Sequence, residues 1–484
     1  MKNAVGRDAV KLTAAKMITL AITMVNSMLL SRFRTLEEYG TYSQILMVIQ
    51  LAVSLFMLGL PNSINYFVAK EEEEDKRRHF LSNYYTLNTL LCIVMGVALL
   101  LLTPCFEMYF KNGYLRSFAY VFLVYPWSRV IMSSIENLLV VYQRTHLLIG
   151  FTIFHSLSNV AVILLAIWLQ WNFRFYMVVF IASEAVLTLA VYGIARFVAG
   201  GLSFSFDGRL LRQVLAFSIP IGLASVMGTL QIETDKLLIG YFFSTEELAI
   251  YTNASKELPL SFFASALTAV LLPKLTVQLK NGNRAQAVRL WGNATVVSYA
   301  VICFFAIGLF TYAPEAISLL YSDKYLPGVS VFRVYALLLL LRCTYFGMLL
   351  NASGKTKPIL YSSVISLILN VILNFCFYWL FGFIGPAIAT VCVTMCTALF
   401  QLIVTSREVA VPLRRLFPWK ALAGITVLNV LFGAAFYFIK QWVPLQQLMG
   451  EILESIALGC VWGIGYGALM FRYVRKEYRA LNEG

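Results

Sequence analysis

Apolar runs long enough to cross a bilayer follow one another along almost the whole chain, separated by short breaks that hold charged residues, glycine or proline. A helix needs about 20 such residues to span hydrocarbon, and the breaks supply the residues that end it. On this pattern the sequence predicts helices at Val10 to Ser31, Thr41 to Ala69, Phe80 to Thr103, Ser117 to Tyr142, Leu147 to Leu169 and Phe175 to Val198. After a linker, Gly200 to Arg212, come Gln213 to Tyr241, Leu248 to Leu279, Asn293 to Tyr312, Val329 to Ala352, Pro358 to Leu380 and Gly385 to Thr405. A basic loop, Ser406 to Phe417, leads to Pro418 to Lys440 and Glu451 to Tyr473. The pattern predicts an all-α polytopic membrane protein with about 14 transmembrane helices.

A short motif recurs at equivalent places. Thr35-Leu-Glu-Glu-Tyr-Gly-Thr-Tyr42 and Ser244-Thr-Glu-Glu-Leu-Ala-Ile-Tyr251 align without gaps, and each joins the first and second helix of its half. Six helices separate the copies, so both halves enter the membrane in the same direction, as parallel repeats do. The expected organisation is an N-terminal lobe at residues 1–200, a cytoplasmic linker at 201–212, a C-terminal lobe at 213–405, and two further helices with a cytoplasmic tail at 406–484. Two pseudo-symmetric six-helix lobes are expected to face a central cavity.

Composition agrees: 60% of the 484 residues are hydrophobic and 13% charged, with a mean hydropathy of +0.76, against about 25% charged in soluble proteins. The formal charge of +14 marks topology and not nucleic-acid binding, because Lys and Arg gather in short loops. Roughly 26 fall on the side of the N-terminus, about 7 on the other side and about 5 within spans, which places both termini in the cytoplasm. Lys2, Arg7, Lys11 and Lys16 precede or enter the first run with no small-residue cleavage site after it, so that helix is expected to be retained. The 8 cysteines lie mostly in apolar runs without zinc-type spacing, and Cys392 and Cys396, one turn apart, read as packing residues.

The charges inside the predicted spans are the candidate chemistry: Arg129 and Glu136, Glu184, Glu233, Asp235 and Lys236, Lys256 and Glu257, Arg333 and Arg342. Each costs about 3 kcal/mol at the bilayer centre, so they pair or face water. Arg129 and Glu136 share a helical face, Glu233 and Lys236 are close enough to meet, and Asp235 points about 100° away from Lys236. Arg333, in a first turn, can snorkel outward, whereas Arg342 has no acid one turn away. These groups either fix the bundle as inter-helix pairs or line a cavity, and several cations in a cavity suit an anionic substrate such as a pyrophosphate. Arg129, Arg342, Lys236 and Glu136 are the substrate-binding candidates; Asp235 and Glu233 are the ion-coupling candidates. Enzyme signals are weak. His79 and His146 fall in or beside loops, His155 sits on the fifth helix with no neighbouring carboxylate, and no metal or cofactor is expected. Gly354-Lys355-Thr356 lacks the upstream glycines of a phosphate loop and is a turn.

Several runs together resemble the polysaccharide biosynthesis flippases, the Wzx-type members of the multidrug/oligosaccharidyl-lipid/polysaccharide (MOP) superfamily. In the second half these are LLYSDKY, Asn351 to Lys357, the spaced Asn370 and Asn374, and FGFIGPAIAT at Phe381 to Thr390. In the first they are Glu38 to Tyr42 and Gly59 to Ile64, and in the seventh helix Ile219-Pro220 and Asp235 to Gly240. The resemblance covers nearly the whole chain. It implies a MATE-like, two-lobed transporter of the bacterial inner (plasma) membrane that moves undecaprenyl-diphosphate-linked oligosaccharide to the outer leaflet by alternating access. Sodium or a proton would be the coupling ion, and a polysaccharide polymerase and a chain-length protein would be partners of the monomer. The related lipid II flippases hold sodium with an acid, polar groups and a threonine that Asp235, Asn374 and Thr394 match, while Tyr378 stands where a second acid is expected. The alternatives are a multidrug or cation antiporter of the same superfamily and, from another class, a membrane polysaccharide polymerase or ligase.

Overall fold

A computed structural model of the chain describes residues 2–442 and 450–482. They form long helices in the order α1 (Lys2–Phe33), α2 (Leu36–Lys70), α3 (Glu74–Phe110), α4 (Ala119–Val141), α5 (Thr145–Trp168), α6 (Phe173–Val198), α7 (Gly208–Phe242) and α8 (Thr245–Lys280). There follow α9 (Arg284–Thr311), α10 (Val329–Leu341), α11 (Lys357–Phe381), α12 (Gly385–Val409), α13 (Trp419–Trp442) and α14 (Glu451–Asn482). No strand occurs among the described residues. Twelve stretches are long and apolar enough to span a membrane. One of them, Lys357–Val409, turns back at Gly382–Ile384 and holds both α11 and α12, and α4 lies outside the twelve, which together give the 14 expected.

Each octet of the repeat proves to be the same device, a capping box. Glu38 N–H donates to Thr35 Oγ1 (3.1 Å) and Thr35 N–H to Glu38 Oε2 (3.2 Å). Glu247 N–H likewise donates to Ser244 Oγ (3.1 Å) and Ser244 N–H to Glu247 Oε2 (2.9 Å). Reciprocal caps satisfy donors that a helix start leaves open, worth about 1 kcal/mol each, and here they set where α2 and α8 begin. Both begin earlier than the hydropathy predicts, because the polar cap residues belong to the helix.

Three predicted helices are broken. In α2, Leu58 and Gly59 take left-handed conformations (φ 38° and 72°) before Pro61 restarts the helix. In α8 the helix stops at Ala254 and resumes at Phe262 after a short 3₁₀ turn at Pro259–Ser261. The predicted Val329 to Ala352 helix ends at Leu341, with a separate turn at Met348–Ala352. The predicted linker is also shorter than expected, since Asp207 caps α7 by accepting from Arg209 and Leu210 N–H. The Leu210 and Arg209 N–H groups hold its exposed carboxyl below the usual aspartate range. Residues 201–207 lie outside any helix and are pinned to α3. Ser203, Ser205 and Asp207 N–H donate to Ser82, Thr86 and Asn83 side chains at 3.2, 3.3 and 2.5 Å.

The chain divides into two compact units, Met1–Ala249 and Ile250–Gly484. In the first, α4 is central, packed by α2, α3 and α6, with α1 against α5 and α7 against α2. Its core joins Leu60, Ile64, Phe80, Tyr84, Ile131 and Leu138. In the second, α9 is central, packed by α8, α10, α13 and α14, around Trp291, Cys303 and Trp462, while α11 and α12 form a hairpin. Compactness thus assigns α7 to the first unit, although in the repeat it opens the second half.

α7 approaches the α2 break at backbone distance. A Cβ on Gly222 would stand 2.1 Å from the Leu58 carbonyl carbon, and one on Gly59 2.9 Å from Gly222 N. Gly228, on the same helix, has open space. Gly222→Val is expected to destabilise the protein by about 1–3 kcal/mol through overpacking, whereas Gly228→Ala, with better helix propensity, is neutral or stabilising. Thermal unfolding in detergent compares the two. Equal melting temperatures would show that the contact does not carry the packing.

Candidate functional site

α4 carries one group of polar residues of the first unit. Arg129 Nη2 approaches Gln50 Oε1 of α2 at 3.5 Å, and Asn65 of α2 donates to Asn137 at 2.7 Å. Glu136 pairs with Lys16 of α1 at 2.5 Å, both side chains half exposed. Arg129 and Glu136 therefore do not pair with each other. Seven residues separate them by about 10 Å of helical rise, and neighbouring helices offer each a nearer partner. Arg129 is exposed within the span, and among the described residues no carboxylate lies within salt-bridge distance of it. An exposed guanidinium at membrane depth faces water or a polar ligand, not lipid.

A second polar site joins α5 to α6. His155 Nε2 lies 2.8 Å from Glu184 Oε1, and Glu184 is 2% exposed. The expectation that His155 has no neighbouring carboxylate is corrected here: the acid comes from the next helix, which spacing along one helix does not reveal. On α7 the expected pair forms, Lys236 Nζ to Glu233 at 3.0 Å, so the ammonium is neutralised within its own helix. Asp235 is 3% exposed and accepts from Lys236 N–H at 2.9 Å.

In the second unit the helix breaks make the site. Arg342 follows the end of α10, Glu257 lies in the gap of α8, and Arg342 Nη2 and Nε donate to Glu257 Oε1 at 2.8 and 3.3 Å. Both residues lie in segments that the hydropathy predicts as continuous helix. Irregular backbone at membrane depth is tolerated where it is buried in protein or lines a watery cavity, and the partly exposed pair (42% and 33%) fits the second case. Arg333 is held by the Phe310 carbonyl (3.2 Å) and lies over the Phe310 ring. Asn374 and Asn370 are buried and bonded to each other at 3.1 Å. Thr394 donates to the Thr390 carbonyl at 2.8 Å. Among the described residues no hydrogen bond joins Asn374 to Thr394, and no cluster of three or more His, Cys, Asp or Glu could hold a metal ion.

Two carboxylates lie at one end of the second unit. Glu315 pairs with Lys440. Glu454, in the first turn of α14, is 1% exposed with neither oxygen hydrogen-bonded among the described residues; the positive end of a helix dipole favours an acid there. Sequence reasoning missed Lys16, Gln50 and Asn65 as members of the α4 face. The available signal was a lysine set inside the first apolar run, opposite an acid of another span.

The family described as polysaccharide biosynthesis protein matches residues 5–277, more than half of the chain. The chain belongs to this family. Among curated proteins none matches. The fold is that of the MOP superfamily. A structure of the lipid II flippase MurJ in an inward closed conformation superposes with a TM-score of 0.77 at 15% identity, covering 96% of this chain and 99% of that one. An inward-facing multidrug resistance MATE family transporter gives 0.66 at 15% identity, covering 83% and 98%. A MOP superfamily transporter from Pyrococcus furiosus, whose binding pocket is described as reversed in polarity, gives 0.55 at 15%, covering 83% and 95%. This polysaccharide biosynthesis protein is thus a multi-pass membrane protein with a MATE-like fold.

The Glu233 to Lys236 pair gives a direct test of the in-membrane electrostatics. Glu233→Ala leaves an ammonium unpartnered in a mostly buried position and is expected to destabilise the protein by about 3 kcal/mol, while removing both partners costs less. Unfolding of the two single variants and the double variant in detergent measures the coupling. Additive losses would show that the pair carries no interaction.

Proposed function

We propose that this family member is a flippase that moves undecaprenyl-diphosphate-linked oligosaccharide repeat units from the inner to the outer leaflet of a bacterial plasma membrane by alternating access. One observation carries the substrate's charge: Arg129 is exposed inside a span, and among the described residues it meets the neutral Gln50 amide and the Tyr125 hydroxyl with no carboxylate within salt-bridge distance. A guanidinium so placed presents a fork of donors that suits a phosphate. Arg342, held from one side by Glu257, keeps part of its donor set free for an anion. Lys236 contributes less, because its charge is already met by Glu233.

The excess of positive charge on the α4 face speaks against a cation exporter, which needs surplus acid where its cargo sits. A polymerase or ligase usually needs a sizeable outer loop, and the hydropathy pattern leaves none. Asp235, Glu233, Asn374 and Thr394 are the groups offered for ion coupling, to sodium or to protons. Both termini are cytoplasmic in this reading, and the enzymes that lengthen the glycan act on the product outside.

In proteoliposomes holding a fluorescent undecaprenyl-diphosphate-linked sugar, wild-type protein should move the probe between leaflets. Arg129→Ala and Arg342→Ala should each slow it about 10- to 100-fold, the loss of a charge-assisted hydrogen bond of about 1.5–3 kcal/mol, with insertion unchanged. Wild-type rates in both variants would remove these residues from the site, and a wild-type protein that moves a lipophilic cation and not the diphosphate would favour the exporter.

A further inference from the structure

The His155 to Glu184 contact lies outside the residues assigned to the diphosphate, and its chemistry differs from that of the other pairs. The carboxylate is 2% exposed and the imidazole 24%. Phe151, one turn before His155, stacks on the ring with centroids 6.3 Å apart, and the Asn159 amide nitrogen, one turn after, lies 3.4 Å from Nε2. A carboxylate buried in a span needs a partner. Lysine or arginine would hold a fixed positive charge there, whereas imidazole is the side chain that ordinarily changes charge between about pH 5 and 8. The contact therefore has two states that differ by one proton: imidazolium with carboxylate, net charge zero, and neutral imidazole with carboxylate, net charge −1.

The surroundings leave this proton no competing cation in direct contact among the described residues. α5 packs on α1, α4 and α6, and α6 on α4 and α5. From α1, Lys16 is held by Glu136. The Arg34 guanidinium stacks over the Tyr176 and Phe173 rings of α6. Tyr42 of α2, Tyr125 of α4 and Tyr176 of α6 lie within electrostatic reach of Glu184. Tyr192, further along α6, meets Thr89 and Trp127, and His146 stands in the first turn of α5.

The same surroundings connect the contact to the α4 face. Thr188, one turn after Glu184, bonds the Glu184 carbonyl (2.7 Å) and Ser128 Oγ (2.8 Å), and Ser128 directly precedes Arg129. Tyr125, one turn before Arg129, lies within reach of both Arg129 and Glu184.

The geometry points to His155 and Glu184 as a proton-binding site whose occupancy is linked to that of a diphosphate at Arg129. The link rests on the substrate reading proposed above; the proton site does not. In the deprotonated state the net −1 charge opposes an anion beside Arg129. Binding of the diphosphate therefore draws a proton onto the pair, and by reciprocity the proton strengthens diphosphate binding. This names the proton as an ion that binds next to the substrate, at a place distinct from Asp235.

Two measurements test it. The chain has 3 histidines, so ¹⁵N-histidine labelling of the full protein in nanodiscs gives few imidazole signals, and His155→Gln identifies the relevant one by its loss. That imidazole signal is expected to differ between pH 5 and pH 8 in wild type, and to respond differently in Glu184→Gln. A signal constant across this range, or one indifferent to Glu184→Gln, overturns the proton site.

Calorimetry with farnesyl diphosphate, in buffers of different ionisation enthalpy near pH 7, then measures protons taken up per diphosphate bound. Wild type is expected to take up a larger fraction of a proton than His155→Gln or Glu184→Gln, which still bind. Equal uptake in all three overturns the link. If wild type binds no farnesyl diphosphate while the imidazole titrates, the diphosphate reading of Arg129 falls and the proton site stands.

Discussion

The hydrocarbon interior penalises an unpaired charge by several kcal/mol, and the arrangement of this chain follows from how each in-span ionisable group meets that penalty. Lys16 takes Glu136, Lys236 takes Glu233, Arg342 takes Glu257, His155 takes Glu184, and Lys440 takes Glu315. Most of these pairs join different helices, so they also fix which faces meet. Arg129 departs from the rule, exposed and met by neutral groups, the Gln50 amide at 3.5 Å and the Tyr125 hydroxyl. A cation within a span, with no carboxylate in salt-bridge distance among the described residues, is the observation on which the proposed anionic ligand rests.

The same constraint explains where the helices break. Backbone N–H and C=O groups must be satisfied at membrane depth, so an interrupted helix is costly unless the gap faces protein or water. The gaps of α8 and of the stretch after α10 contain Glu257 and Arg342, which bond to each other. Irregular backbone and exposed charge thus occur together. The α2 break has another purpose: Leu58 and Gly59 turn so that α7 can approach at Gly222.

Much of the fold was legible because its signals are local. Apolar run length places α1 to α14, and the octet repeat locates the two equivalent helix starts, whose capping boxes give the match its physical content. The Glu233 to Lys236 pair was legible for the same reason, being three residues apart on one helix. What spacing could not show depends on neighbours from other helices. Arg129 and Glu136 share a face yet bond elsewhere, and His155 looks isolated until α6 supplies Glu184. The breaks at 255–258 and 342–347 were hidden because each is only a few residues long and is flanked by apolar runs.

Membership of the polysaccharide biosynthesis protein family and the MATE-like fold leave the cargo as the central claim: a lipid carrying a diphosphate, held by cations of the spans. Native mass spectrometry of the protein extracted gently from cells that make a surface polysaccharide tests this most directly. The account predicts a bound species whose fragments give undecaprenyl phosphate and a sugar repeat unit, retained by wild type and depleted in Arg129→Ala. Wild-type protein that carries only phospholipid, from cells in which the lipid-linked glycan is abundant, would contradict it.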